Sequence, residues 1–91
     1  MKKRIVLKIY GRVQGVFFRD STKRKAEELD LLGWVRNEAG GAVQIVAEGE
    51  EENLKKLVEW CRDGGLEYAK IDNIDIEWQK PSNQFNSFVV K

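Results

Sequence analysis

The sequence predicts an α+β fold: one sheet with two helices packed on the same face. Three observations lead there. A period-two stretch opens the chain, two segments have helical periodicity, and β-branched runs flank and follow them. The resulting order is β-α-β-β-α-β-β. Two crossover helices, one hairpin and no repeat favour the split βαβ arrangement.

From Arg4 to Tyr10 the chain alternates, with Ile5, Leu7 and Ile9 on one side and Val6, Lys8 and Tyr10 on the other. That is the first strand. "FRDSTKRKAEELDLLG" carries Phe18, Thr22, Ala26 and Leu29 at spacings of four, four and three, one face of a helix. Lys23, Arg24, Glu27 and Glu28 lie mainly off that face, and Gly33 is the expected stop. "WVRN" and "AVQIVAEG" are rich in β-branched residues and flank "EAGG", a hairpin turn. "EEENLKKLVEWCRDGG" places Leu54, Leu57, Val58 and Cys61 at i, i+3, i+4 and i+7 of a second helix. Glu50, Glu51 and Glu52 suit its N-terminal dipole, Arg62 its C-terminal end and Gly64 its stop. "AKIDNIDIEWQ" is a strand with Ile74, Ile76 and Trp78 on one face, and its phase slips near Asp72-Asn73, where a bulge is expected. Pro81 and Ser82 break the chain before a short last strand in "SFVVK".

At 91 residues, the expectation is a single domain spanning 1–91, with no linker or low-complexity segment. An apolar content of 42% with 34% charge marks a folded chain rather than a disordered one. No apolar run approaches the roughly 20 residues that span a bilayer, so no membrane association is expected. "MKKRIVLKIYG" is a poor signal peptide, because Lys8 interrupts its apolar stretch. The lone Cys61 excludes an internal disulfide and favours a reducing cytoplasm. The net charge of +1 hides an asymmetry: residues 1–25 hold nine basic residues against the single acid Asp20, and the remainder balances to −7. A basic opening on an acidic chain attracts a small anion more readily than a nucleic-acid backbone.

"GRVQGVFFR", residues 11–19, joins the first strand to the first helix. Its residue types can build an anion site. Backbone N–H groups of such a turn can converge, and the first N–H groups of the helix lack partners and carry the positive end of its dipole. Gly11 and Gly15 permit backbone that a Cβ would obstruct, and Arg19 can fork two phosphate oxygens. A glycine turn feeding a helix with a surface arginine fits the same residues. A Walker loop is excluded, since no Gly-Lys-Ser/Thr follows.

"GRVQGVFFR", then Asn37 closing "GWVRN", then "GAVQIVAEG", resembles the acylphosphatase family from about Ile5 to Val90. The resemblance implies a ferredoxin-like βαββαββ sandwich, with an antiparallel or mixed sheet, and hydrolysis of acyl phosphates to carboxylate and inorganic phosphate. It further implies that Arg19 binds the phosphoryl group, and that the amides of Val13, Gln14, Gly15, Val16 and Phe17 hold its equatorial oxygens. Asn37 would orient the attacking water. Two departures leave this chemistry untouched: Phe17 stands where many members have glycine, though phenylalanine there also occurs in the family, and Gly64-Gly65 stands where Gly-Pro is common. An acyl phosphate has a good leaving group, so position and preorganised positive charge suffice, and the absence of histidine is no obstacle. The implied partners are an acyl phosphate substrate and, as competitors, inorganic phosphate or sulfate. No cofactor and no metal are expected, and a monomer is.

Other candidates have simpler readings. Arg12 adds long-range attraction or only solvates the surface. Arg36 points to the opposite strand face from Asn37. Cys61 packs in the core, with no histidine to activate it. Glu50, Glu51 and Glu52 are helix-start charge rather than metal ligands. Trp34, Trp60 and Trp78 are packing residues, and Phe17 and Phe18 are expected to lock the loop against the core. A nucleic-acid module is disfavoured because "GAVQIVAEG" carries no stacking aromatic. A phosphate sensor of the same fold would have no use for Asn37.

Overall fold

A computed structural model describes residues 1–14, 17–65 and 69–91. They form β1 (Lys2–Arg12), α1 (Phe18–Glu28), β2 (Leu32–Asn37), β3 (Val43–Glu50), α2 (Glu51–Arg62), β4 (Lys70–Gln79) and β5 (Phe88–Val90). The sheet runs β4-β1-β3-β2-β5. Its pairings are antiparallel except the last, where β5 lies parallel to β2. The expected fold class is therefore the observed one.

The alternation of β1 decides which face is buried. Ile5, Leu7 and Ile9 lie opposite Ala47, Ile45 and Val43 of β3, and all six are fully buried. Phe18, Thr22 and Ala26 of α1, with Leu54, Leu57, Val58 and Cys61 of α2, cover that same face. Burial of this apolar surface is what holds both helices down.

The slip in β4 is real. Tyr10 pairs with Asn73 but Gly11 with Ile71, so Asp72 is the extra residue of a bulge. Gly11 makes the bulge possible: its φ is 131°, and a Cβ there would collide with the Lys70 carbonyl oxygen. Gly33, in contrast, is not the helix stop expected from its position. The α-helix ends at Glu28, Leu31 N–H returns to the Ala26 carbonyl at 2.8 Å, and Asp30 supplies the left-handed residue with φ 56°. Gly33 sits inside β2, where a Cβ would strike the Val46 carbonyl oxygen. Gly64 does terminate α2, its N–H bonding the Cys61 carbonyl at 3.0 Å. Of the acidic cluster at the α2 start, Glu50 pairs with the Met1 amino group and Glu51 with Lys3 and Lys55.

Glu48 is nearly fully buried on the opposite face of the sheet, an unusual place for a carboxylate. It accepts hydrogen bonds from Ser82 Oγ (2.6 Å), Ser82 N (2.8 Å), Asn83 N (3.0 Å) and Arg4 Nη1 (3.2 Å). Residues 80–87 carry the chain from β4 at one edge to β5 at the other, and Glu48 fixes them midway. Burial pushes its carboxyl up, but the bonds from Ser82, Asn83 and Arg4 outweigh that, and its pKa falls below the ordinary 4.5. A lowered folded-state pKa stabilises the fold above the unfolded value, and the benefit is lost as pH falls through the folded one. Glu48→Gln is thus expected to cost about 2 kcal/mol at pH 7. The gap from the parent should shrink in denaturant titrations carried stepwise below pH 4.5. A gap that is constant with pH would remove the ionised carboxylate from the account.

Candidate active site

The antiparallel register brings two chain ends together. Ile9 of β1 and Asn37 of β2 both lie opposite Val43, on either side of β3. The connection leaving β1 therefore meets the residue that closes β2. Between them opens a cleft of about 260 Å³, lined by Val13, Phe17, Phe18, Arg19, Asp20 and Asn37.

Two buried side chains hold the connecting loop. Val13 and Phe18 are each 1% exposed, and the Phe18 ring stacks on Trp60 with centroids 5.8 Å apart. Phe17 departs from the expectation that it would pack alongside. It is 79% exposed, with φ 60° and ψ 21°, because a left-handed residue before the helix turns its side chain away from the core that Phe18 enters. Ser21 N–H makes the first helical bond to the Phe17 carbonyl at 3.1 Å. The N–H groups of Phe18, Arg19 and Asp20 precede that bond and have no acceptor within the helix.

Arg19, in the first turn of α1, donates from Nη1 to the Lys91 backbone oxygen at 3.3 Å. Lys91 is held in turn by its N–H on the Val35 carbonyl at 2.8 Å. Among the described residues no Asp or Glu pairs with the Arg19 guanidinium, which leaves its charge facing the cleft. Asn37 is exposed at the end of β2. Gln14 turns its carboxamide toward the hairpin, donating from Nε2 to the carbonyls of Ala42 (2.8 Å) and Glu38 (3.0 Å). It thereby ties the loop to the turn beside Asn37. Gly15 and Val16, the remaining two loop candidates, lie outside the described residues.

Arg36 points away, as its strand position requires. It packs over Trp34 at 4.9 Å and donates to Gln44 Oε1. Arg12 ends β1 exposed, outside the cleft lining. Cys61 is fully buried, and burial pushes its thiol up to about 12, so it is no nucleophile at neutral pH. Among the described residues no group of three His, Cys, Asp or Glu is placed to hold a metal. A larger cleft of about 440 Å³ opens at the far end of the sheet, beside Glu48, Pro81 and Phe85. Its buried carboxylate is already committed to Arg4 and the 80–87 segment. Lys91, the Gln14 side chain and Asp20 were not foreseen as neighbours of the site. No local pattern marks the first two, whose partners are 72, 24 and 28 residues distant.

Known proteins resemble this chain over nearly its whole length. A family model described as Acylphosphatase matches residues 5–90. The chain is 41% identical to an acylphosphatase of Salinibacter ruber over 90 residues, covering 99% of this chain and 94% of the relative. It is 48% identical to one of Marinobacter nauticus over 82 residues, covering 90% and 88%. The crystal structure of acylphosphatase from Bacillus subtilis superposes with a TM-score of 0.92 at 32% identity, covering 100% of this chain and 99% of that one.

Gln14→Leu removes both hydrogen bonds to the hairpin while keeping side-chain volume. The expected loss is about 1–2 kcal/mol of stability. Amide exchange should quicken across residues 38–42 while the centre of β3 stays protected. An unchanged unfolding midpoint and exchange pattern would show that the hairpin keeps its place without Gln14.

Proposed function

The chain belongs to the acylphosphatase family, and from that premise we propose how its cleft divides the work among Arg19, the loop amides and Asn37. The activity is hydrolysis of the carboxyl–phosphate bond of acyl phosphates, releasing carboxylate and inorganic phosphate. One observation supports the assignment above others. Arg19 and Asn37 stand 18 residues apart, on α1 and β2, yet line a single cleft.

Arg19 forks two phosphoryl oxygens. The Lys91 backbone oxygen takes one guanidinium N–H and sets its plane, and further donors remain for the substrate. The amides of Val13, Gln14, Gly15, Val16 and Phe17 hold the equatorial oxygens, with the open N–H groups of the α1 first turn behind them. Donors aimed before substrate arrives stabilise the charge of a transition state without reorganising. Asn37 hydrogen-bonds the water and sets it in line with the leaving oxygen. As the water oxygen bonds to phosphorus, the bond from phosphorus to the acyl oxygen breaks. Its electron pair leaves with the carboxylate, and the water's proton passes to a phosphoryl oxygen.

The positive charge comes from Arg19 and backbone, so the proposed reaction needs no metal and no cofactor. Inorganic phosphate and sulfate compete for the same cradle. A monomer in a reducing cytoplasm suits the buried lone thiol, and among the described residues no helix is long and apolar enough to cross a membrane.

Binding and chemistry should separate by mutation. Arg19→Ala and Arg19→Lys should lose most inhibition by phosphate, since a point charge cannot reproduce the fork. Asn37→Ala should retain phosphate inhibition and lose turnover on the order of 10²-fold or more. Thermal unfolding checks that each variant is folded. Wild-type turnover in a folded Asn37→Ala protein would transfer the water to another polar group.

Turnover of acetyl phosphate in excess EDTA should equal turnover without it. Loss of activity restored by Mg²⁺ or Zn²⁺ would refute the metal-independent mechanism.

A further inference from the structure

Phe17 gains little from where it stands. Its left-handed backbone disfavours any residue with a Cβ and an aromatic one more than most. Its ring is 79% exposed, whereas the adjacent Phe18 ring is buried. A side chain that receives neither burial nor an easy backbone has its explanation in what it meets. Among the described residues, the exposed large hydrophobic side chains include Phe17, Leu32, Trp78 and Val89, and of these Phe17 alone lines the cleft.

The cleft's polar groups suit the phosphoryl end of the substrate. The cleft holds about 260 Å³ and opens to solvent at this end of the sheet. In-line attack directs the leaving carboxylate away from the water that Asn37 holds, and the acyl substituent must then emerge over the rim. Among the described residues, the exposed apolar surface lining that rim is the Phe17 ring.

We propose that the Phe17 ring is the acyl platform of this enzyme, selecting acyl phosphates with aromatic or extended apolar acyl groups over small ones. This rests on the Arg19–Asn37 assignment. The ring adds no covalent step. It stacks on the acyl group and is covered by it, and the gain from such contact corresponds to about five- to tenfold in relative kcat/KM.

The test is the ratio of kcat/KM for benzoyl phosphate to that for acetyl phosphate, measured on the full chain as parent, Phe17→Gly, Phe17→Ser and Phe17→Trp. Taking the ratio cancels any change in phosphate binding or in the loop amides. The ratio should fall about five- to tenfold in the glycine and serine variants, chiefly through KM for benzoyl phosphate, and be preserved by tryptophan. Phe17→Gly should melt no lower than the parent, because glycine accepts the left-handed backbone, so misfolding cannot imitate the effect. An unchanged ratio, including one where both substrates slow equally, overturns the platform and leaves Phe17 a loop residue only. A parent that hydrolyses neither substrate overturns the underlying assignment instead, and the platform with it.

Discussion

The pairing of β1 with β3, in register from Lys2 opposite Glu50 to Ile9 opposite Val43, is the constraint on which the rest depends. It buries Ile5, Leu7 and Ile9 against their partners, and a slip of one residue would turn all three to the other face. The same register sets the direction of every connection. Because β3 runs back along β1, the loop leaving β1 and the hairpin entering β3 share one end of the sheet. The loop after β1 and Asn37 meet there without either being near the other in sequence.

The site is rigid at its margins and open at its centre. Val13 and Phe18 fasten the loop to the core, and Gly65 approaches the Phe18–Trp60 stack so closely that a Cβ would touch both rings. Gln14 fastens the loop to the hairpin. Arg19 and Asn37 then project from supported backbone into solvent-accessible space. Preorganisation of this kind is what a reaction with a good leaving group asks of its protein.

The two ends of the sheet cooperate through the last strand. Glu48 gathers Ser82 and Asn83 at the far end, and residues 80–87 pass from there to β5. Since β5 runs parallel to β2, it delivers Lys91 to the active end, where the backbone oxygen braces Arg19. A buried carboxylate remote from the cleft thus secures the segment that braces Arg19.

The sequence by itself determined the elements, their order and two residues, Arg19 and Asn37, that line one cleft. Periodicities of two and of helical length are local properties, and the "GRVQGVFFR" loop with its later asparagine is specific enough to identify a family. Even the bulge was legible, from the broken alternation at Asp72. Tertiary structure alone decided that Gly33 serves a strand rather than a helix end, that Phe17 faces out while Phe18 faces in, and that Glu48 is buried. It alone decided that Gln14 and Lys91 brace the site. A glycine's role depends on which backbone lies across from it, and a hydrogen bond spanning 24 to 72 residues leaves no periodic trace. Such features exist only once the sheet has closed distances that the chain itself does not encode in any neighbouring residues.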